Sequence, residues 1–571
     1  MHLKFLYLAA SILAVTGSVL SCVEINEELG KEYIPVRHQY DVYTDTIYLH
    51  DIRQEKPDKL SGYSSSRITI GAVRDESGFT TRSSAFPLIP TGADMDFGEN
   101  PVCTQFHFTA VRDTLSWPEE NQAHIIQNIN VYKLTEPIGE DDGYMVSQDK
   151  LKIGERVAPV VTYFGQDSLS FNFNTGFGQE YIDVLSAMMK DPKKEGLDSV
   201  SNYVKKLPGI YITADTPSTE GGRINMFELA LGIEKDSYYV YGNYAELKFR
   251  SKYGNRENVD TSFLFFFGAQ DMQVYEDAES EYVTPARTAQ YALNLSHSEN
   301  NMIAAGQTAS DRIYVEGGDG VKPVISSKEI KESLTELFSE EGINPADVII
   351  HKASVVLPYD FNTEDYDKMY LYPARLSPTC RITLENDESE EEQVTYAGLT
   401  DASVETENQG DINRSLNCYA PDISHHVQEI LRRTEDSNYS DYDIWLLNMA
   451  EEVVETQGSG NSELSDYYRN LMYYDYYNSI YNPYGYGGYY GGYYGYGYDS
   501  YYGMSNYYNY MLAAQYASQS SSSTSVSMQL DNDRYYKCIL RGPDADGGLS
   551  EKNKNLPRLI VTYSVSKTSG R

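Results

Sequence analysis

Gln105-Phe106-His107-Phe108-Thr109-Ala110-Val111 is the stretch that sets the fold class. Apolar side chains at 106, 108 and 110 alternate with polar ones at 105, 107 and 109. That two-residue period belongs to a strand with one face on a core and the other in water. Outward from it the same kind of text recurs between Gly, Asp, Asn and Pro breaks. Downstream lie Asn128-Ile129-Asn130-Val131-Tyr132-Lys133-Leu134 and Leu169-Ser170-Phe171-Asn172-Phe173-Asn174. Further runs are Gly209 to Thr213, Met226 to Leu231, Asn243 to Phe249 and Phe263 to Phe267. One helical interruption has Ile182, Leu185 and Met189 at spacings of three and four. The fold predicted is mainly β.

A polar, irregular connector then leads to a second helix. Ser326 and Glu329 fit a capping box, and Ile330, Leu334, Leu337 and Phe338 share one apolar face. Beyond it the order repeats. Ser354 to Asp360 matches Phe108 to Asp113 in character, Lys368 to Leu376 matches Asn128 to Leu134, and Leu559 to Tyr563 matches Ala245 to Phe249. A third short helix carries Ile423, Val427, Ile430 and Leu431, with Asp422 as its expected N-cap and Arg432 and Arg433 at its negative end. The expected architecture is two related jelly-roll-like β-sandwich domains, each with a short helix, at 61–285 and 340–571, joined by a connector over 286–339 whose helix spans 326–339.

Within the second half, residues about 455–530 form a low-complexity insert where the first half has only the loop Asp215 to Gly222. From Tyr467 to Tyr516 it is dominated by tyrosine, glycine, asparagine and serine, and Ser518 to Ser523 follow. Without aliphatic residues for a core of its own, such a segment is expected to be disordered. Strands at 443–447 and 535–540 are expected to pair across it. Tyr484, Tyr486, Tyr489, Tyr490, Tyr493 and Tyr494 are its candidate ligand-binding residues. A tyrosine ring offers a flat apolar face for a sugar or another ring, plus a hydroxyl for hydrogen bonding.

The N-terminus bears on location. An apolar run from Phe5 to Leu20 follows Lys4 and ends at Val19-Leu20-Ser21-Cys22. This pattern reads as a lipoprotein signal over 1–21, with Cys22 as the acylated first mature residue and 22–60 as tether and leader. The run is short for a membrane span. The expected location is the outer membrane, lipid-anchored and facing the cell surface.

Of the 571 residues, 46 are basic and 84 acidic, a net charge of −38. Phosphate backbones are bound by basic patches, so nucleic acid is not an expected partner. Besides Cys22, the cysteines are Cys103, Cys380, Cys418 and Cys538, with no CxxC pair. An exported chain can pair them as disulfides, or each can be a small buried apolar residue.

Three segments carry a family resemblance: Ile70 to Thr81; Ile313 to Gly320, leading on to Val348 through Pro358; and Pro557 to Ser564. With the lipoprotein cysteine, they resemble the Bacteroidota lipoproteins grouped as domain of unknown function 4270. Each half is also similar to DNRLRE-type β-sandwich modules of surface proteins. The resemblance implies no catalytic residues and no cofactor.

No HExxH, GxSxG, Walker A or EF-hand pattern occurs. His425 and His426 are adjacent on a predicted helix, point apart and are expected to face solvent. Asp387, Glu388 and Glu390 in an acidic run are weak candidate calcium ligands, against a solvated hairpin tip. The expectation is a non-enzymatic surface lipoprotein that binds a glycan or an envelope partner through its sandwich loops and the Tyr-rich insert. The alternatives are a structural accessory subunit of an outer-membrane assembly and a polysaccharide-acting hydrolase.

Overall fold

Strands with one apolar face bury it by stacking sheet on sheet, and this chain does so twice. The computed structural model describes residues 39–567, apart from 58–59, 61, 65–66, 91–94, 114–115, 117–125, 139–150, 192–199, 229–231, 235–236, 240–242, 268–291, 361–370, 385–392, 401–406, 435–437, 457–522, 531–533 and 546–554. Strands β1 (Tyr40–Tyr48) and β2 (Ile52–Glu55) come first. They are followed by β3 (Arg67–Asp75), β4 (Gly78–Phe86), β5 (Glu99–Val111), β6 (Gln127–Leu134), β7 (Ser168–Asn172) and helix α1 (Thr175–Lys190). Next are β8 (Ile210–Ala214), β9 (Gly221–Glu228), β10 (Tyr244–Tyr253), β11 (Arg256–Phe267) and β12 (Ala292–Asn300). The second half starts with β13 (Arg312–Glu316), β14 (Lys322–Ile325), α2 (Ser327–Glu340), β15 (Val348–Pro358), β16 (Arg375–Leu384) and β17 (Cys418–Tyr419). It ends with α3 (Ser424–Arg432), β18 (Ile444–Thr456), β19 (Ser523–Leu530), β20 (Lys537–Arg541) and β21 (Arg558–Ser566). Shorter strands extend the sheet margins. Among the described residues no helix is long and apolar enough to cross a membrane.

In the first sandwich a sheet ordered β6-β8-β4-β12 faces one ordered β7-β5-β10-β11, with antiparallel pairing throughout. The alternation at 105–111 works as expected. Phe106 and Phe108 are fully buried, and Phe106 lies between Phe173 (4.8 Å), Tyr181 (5.2 Å) and Phe265 (5.6 Å). Helix α1 covers this sheet with Phe177, Tyr181, Ile182 and Leu185.

The second sandwich pairs a sheet ordered β16-β18-β14-β2 with one ordered β17-β15-β21-β1. Its core joins Ile325, Leu446, Val355, Leu559 and Val561 to Ile330, Leu334 and Phe338 of α2 and Val427 and Ile430 of α3. The two strand orders correspond one to one. β6, β8, β4 and β12 match β16, β18, β14 and β2, while β7, β5, β10 and β11 match β17, β15, β21 and β1. The side pair β3–β9 matches β13–β20. α1 and α3 hold the same place between equivalent strands.

One pair breaks the chain order. β11 and β12 of the first sandwich follow β10, through a turn at Gly254 (φ +58°) and Asn255 that sets Tyr253 opposite Arg256. Their counterparts β1 and β2 come from the start of the described chain. β1 runs antiparallel to β21 from Tyr40↔Ser566 to Tyr48↔Arg558. β2 pairs with β14 from Ile52↔Ile325 to Glu55↔Lys322. The leader expected over 22–60 therefore contains two structural strands of the C-terminal sandwich.

Other expectations are corrected similarly. The supposed connector 286–339 holds β12, an inner strand of the first sandwich, and β13 and β14 of the second. The capping box is half formed: Ser326 Oγ accepts from Glu329 N at 3.3 Å, but the Glu329 carboxylate reaches β1–β2, accepting from His50 N (2.7 Å) and Asp51 N (3.0 Å). Asp422 sits one residue before the N-cap of α3, Ile423, and accepts from Ser424 N at 3.0 Å. The insert is narrower than 455–530, because 523–530 is strand β19, and its neighbour in the sheet is β18. The expected 443–447 with 535–540 pairing does not form. β20 pairs with β13 instead.

Candidate functional site

The insert is rooted by the β18–β19 hairpin, which pairs continuously from Met449↔Leu530 to Thr456↔Ser523. Residues 457–522 leave and return across that last pair. Tyr484, Tyr486, Tyr489, Tyr490, Tyr493 and Tyr494, and the expected disorder around them, lie outside the described residues. So do Cys22 and the acidic candidates Asp387, Glu388 and Glu390. Among the described residues no three His, Cys, Asp or Glu side chains converge to hold a metal.

Five residues beyond Leu530 the chain is in the contact between the two sandwiches. Tyr535 packs with Val73, Ile224 and Met226 of the first sandwich. Its hydroxyl donates to Asp75 at 3.4 Å, and Lys537 pairs with the same carboxylate at 2.8 Å. Burial works to raise the Asp75 carboxyl, but Lys537 and Ser77 outweigh it and hold the group below the usual carboxylate range.

Beside this contact lies a denser charge cluster, built on the loop Glu316-Gly317-Gly318-Asp319-Gly320-Val321-Lys322 between β13 and β14. Lys322 is fully buried. Its ammonium donates to the carbonyls of Gly318 (3.0 Å), Gly320 (2.9 Å) and Glu316. Burial pushes it down to about 7, with Glu316 and Asp319 opposing that shift. Three carbonyls match the three protons of an ammonium. Glu316 accepts from Asn300 Nδ2 (2.6 Å) and Val321 N (3.2 Å), and Asp319 accepts from Lys56 Nζ (3.1 Å). The buried Arg82 of β4 lies against the loop. Gly318 has φ +55°, and a Cβ there would stand 2.0 Å from Arg82 Nη1. Only glycine fits both conditions.

This cluster is a network of partnered groups. Its charges are buried and partnered, and they couple β12 and β4 of the first sandwich to the β13–β14 loop of the second. Such networks fix a relative orientation when every member is satisfied. No sequence motif marks these residues as a site. A lysine inside the apolar run Val321 to Ile325 was the available signal, since a charge in a buried strand needs partners.

All four cysteines outside the leader are free, buried thiols, which selects the apolar alternative over disulfides. Cys380 donates to Asp441 O at 2.9 Å, and burial pushes its thiol up to about 12. The two histidines of α3 differ. His425 lies on the outer side, while His426, expected in solvent, is fully buried, with Nε2 2.8 Å from the Tyr442 carbonyl. Burial depresses it to about 4, with Arg433 adding to the effect and the Tyr442 bond opposing it.

Comparison with protein-family models, curated proteins and solved structures finds no match to this chain.

Proposed function

We propose that this is a non-enzymatic lipoprotein of the outer membrane, anchored through Cys22, which presents its Tyr-rich insert to a glycan or an envelope partner. The observation that carries this reading is the hairpin. Both ends of the insert are held by eight successive pairs, Met449↔Leu530 through Thr456↔Ser523. A binding segment gains affinity when its ends are fixed in advance, because less order is lost on contact. The chain leaving β19 at Leu530 enters the packed contact between the sandwiches within a few residues, so the Met449↔Leu530 end of the hairpin is anchored there and the insert emerges from the opposite end, at Thr456↔Ser523. Tyrosine supplies contact area at low rotamer cost, and the strongly acidic body keeps the rest of the surface away from anionic layers.

The test replaces residues 457–522 with a short Gly-Ser linker. Because the hairpin pairs end at Thr456↔Ser523, the variant is expected to keep its melting temperature and lose binding to glycan arrays or to cells. Unchanged binding would sink the adhesive role. The companion Cys22→Ala variant is expected to leave the membrane fraction or to keep its signal uncleaved. Unchanged lipid labelling would sink the anchor.

A further inference from the structure

We propose that β1–β2 is an exchangeable element and that a second copy of this chain is its acceptor. Each copy would complete the second sandwich of its neighbour, giving strand-exchanged dimers or longer assemblies.

Three observations lead there. First, the second sandwich lacks its last two strands in chain order and receives them from a distant stretch of sequence, whereas in the first sandwich β11 follows β10 directly in a hairpin and β12 comes next in the chain. The pairing Thr44↔Thr562 bridges a separation of 518 residues. Nothing in the strand register requires both sides to belong to one molecule.

Second, β1–β2 precedes β3 in the chain, and between them Leu60 packs on Leu447 and Tyr63–Ser64 pair with β12. β1 is an edge strand, with Tyr40, Val42 and Tyr43 exposed, and no described strand pairs with its outer edge. Edge strands open at lower cost than the body they join, so exchange would start at β1, while β2 lies between β14 and Gln307–Thr308 and follows it. An identical element passed between protomers is a low-cost route to oligomers.

Third, the vacated place accepts one sequence. Ile52 and Leu49 fill the core, and Gln54 Oε1 accepts from Tyr314 N at 2.6 Å. The buried side of α2 offers Glu329 to the amides of His50 and Asp51, and Tyr563 donates to Asp45 at 3.0 Å. A foreign strand without a glutamine at the place of Gln54 would leave Tyr314 N unsatisfied, a buried polar group without its partner. Another copy's β1–β2 satisfies them all.

The experiment uses two full-length chains with different tags, one carrying Thr44→Cys and the other Thr562→Cys. The two hydroxyl oxygens lie 3.0 Å apart on an exposed surface, so thiols there can join with little disturbance. The native thiols at 103, 380, 418 and 538 are buried, and wild type run alongside controls for Cys22. Co-expression followed by mild oxidation is expected to give a reducible heterodimer of both tags. Absence of that heterodimer, with the Thr44→Cys/Thr562→Cys double variant closing wholly within single chains, would overturn the proposal. A monomeric mass for the detergent-extracted wild type would also overturn it.

Discussion

His426 makes the stability of the second sandwich depend on acid, and the size of the effect follows from its burial. In the folded chain it titrates at about 4, and in an unfolded chain at 6.5. At neutral pH both states are uncharged there, so the group adds no pH dependence. As pH falls through 6.5 the unfolded chain takes up a proton that the folded chain refuses, and stability drops until the folded group also titrates near 4. With those two values the loss is about 2 kcal/mol at pH 5 and about 3 kcal/mol at pH 4. Arg433, the C-cap of α3, and Tyr442 of the following turn lie by the ring. Arg433 pairs with Glu429 and stacks on Tyr442. The comparison is wild type against His426→Gln, which keeps an N–H for the Tyr442 carbonyl and has no proton to gain. Urea midpoints between pH 7.5 and 4 should fall more steeply in wild type, with the curves parting below pH 6.5. Parallel curves would refute the reasoning, because other carboxylates would then account for all the acid sensitivity.

Two further outcomes are expected. Lys322→Met removes three donated hydrogen bonds and leaves the buried carbonyls of Glu316, Gly318 and Gly320 without that donor, which should cost about 3 kcal/mol in urea unfolding; a neutral result would show that the cage is dispensable. A permuted chain that joins Ser566 to Tyr40 through Gly-Asn and opens within 56–66 should fold, because the β10–β11 turn already makes this connection in the first sandwich. Loss of the β-rich circular dichroism spectrum in that permutant would refute the strand equivalence.

What could be read from the sequence follows from which side chains carried a signal. At 105–111 every second residue is buried and apolar, and at 128–134 Ile129 and Val131 keep that period before it shifts at Leu134, so the strand period shows in the text. The apolar faces of α1 and α2 are equally plain, and the recurrence of element order in the two halves became the one-to-one strand match. β12 was missed because Asn294, Ser296 and Ser298 point inward, where Asn294 binds Ser84 and Thr69, and Ser298 meets Thr80 at 2.9 Å. A buried polar ladder reads as loop. His426 lies four residues before Ile430 and on its face, so helical spacing held the answer that adjacency to His425 obscured.

β1 is the most instructive omission, because its sequence is that of an edge. Tyr40-Asp41-Val42-Tyr43-Thr44-Asp45 has no clean apolar face, and most of these side chains are exposed. Charged residues along an unpaired edge are how sheets discourage chance additions, and Asp41 and Asp45 have that position here. The same two residues serve the proper partner: Asp41 pairs with Lys567 at 3.3 Å, and Asp45 accepts from Tyr563. The composition that hides β1 from a periodicity search is therefore what confines it to β21, whether that β21 belongs to its own chain or to a neighbour. A strand that sheds unspecific neighbours and keeps a matched acceptor has the properties required of an exchanged element. On this argument Asp45→Val would both lose the Tyr563 bond and expose an apolar edge, so it should raise nonspecific aggregation while lowering ordered exchange.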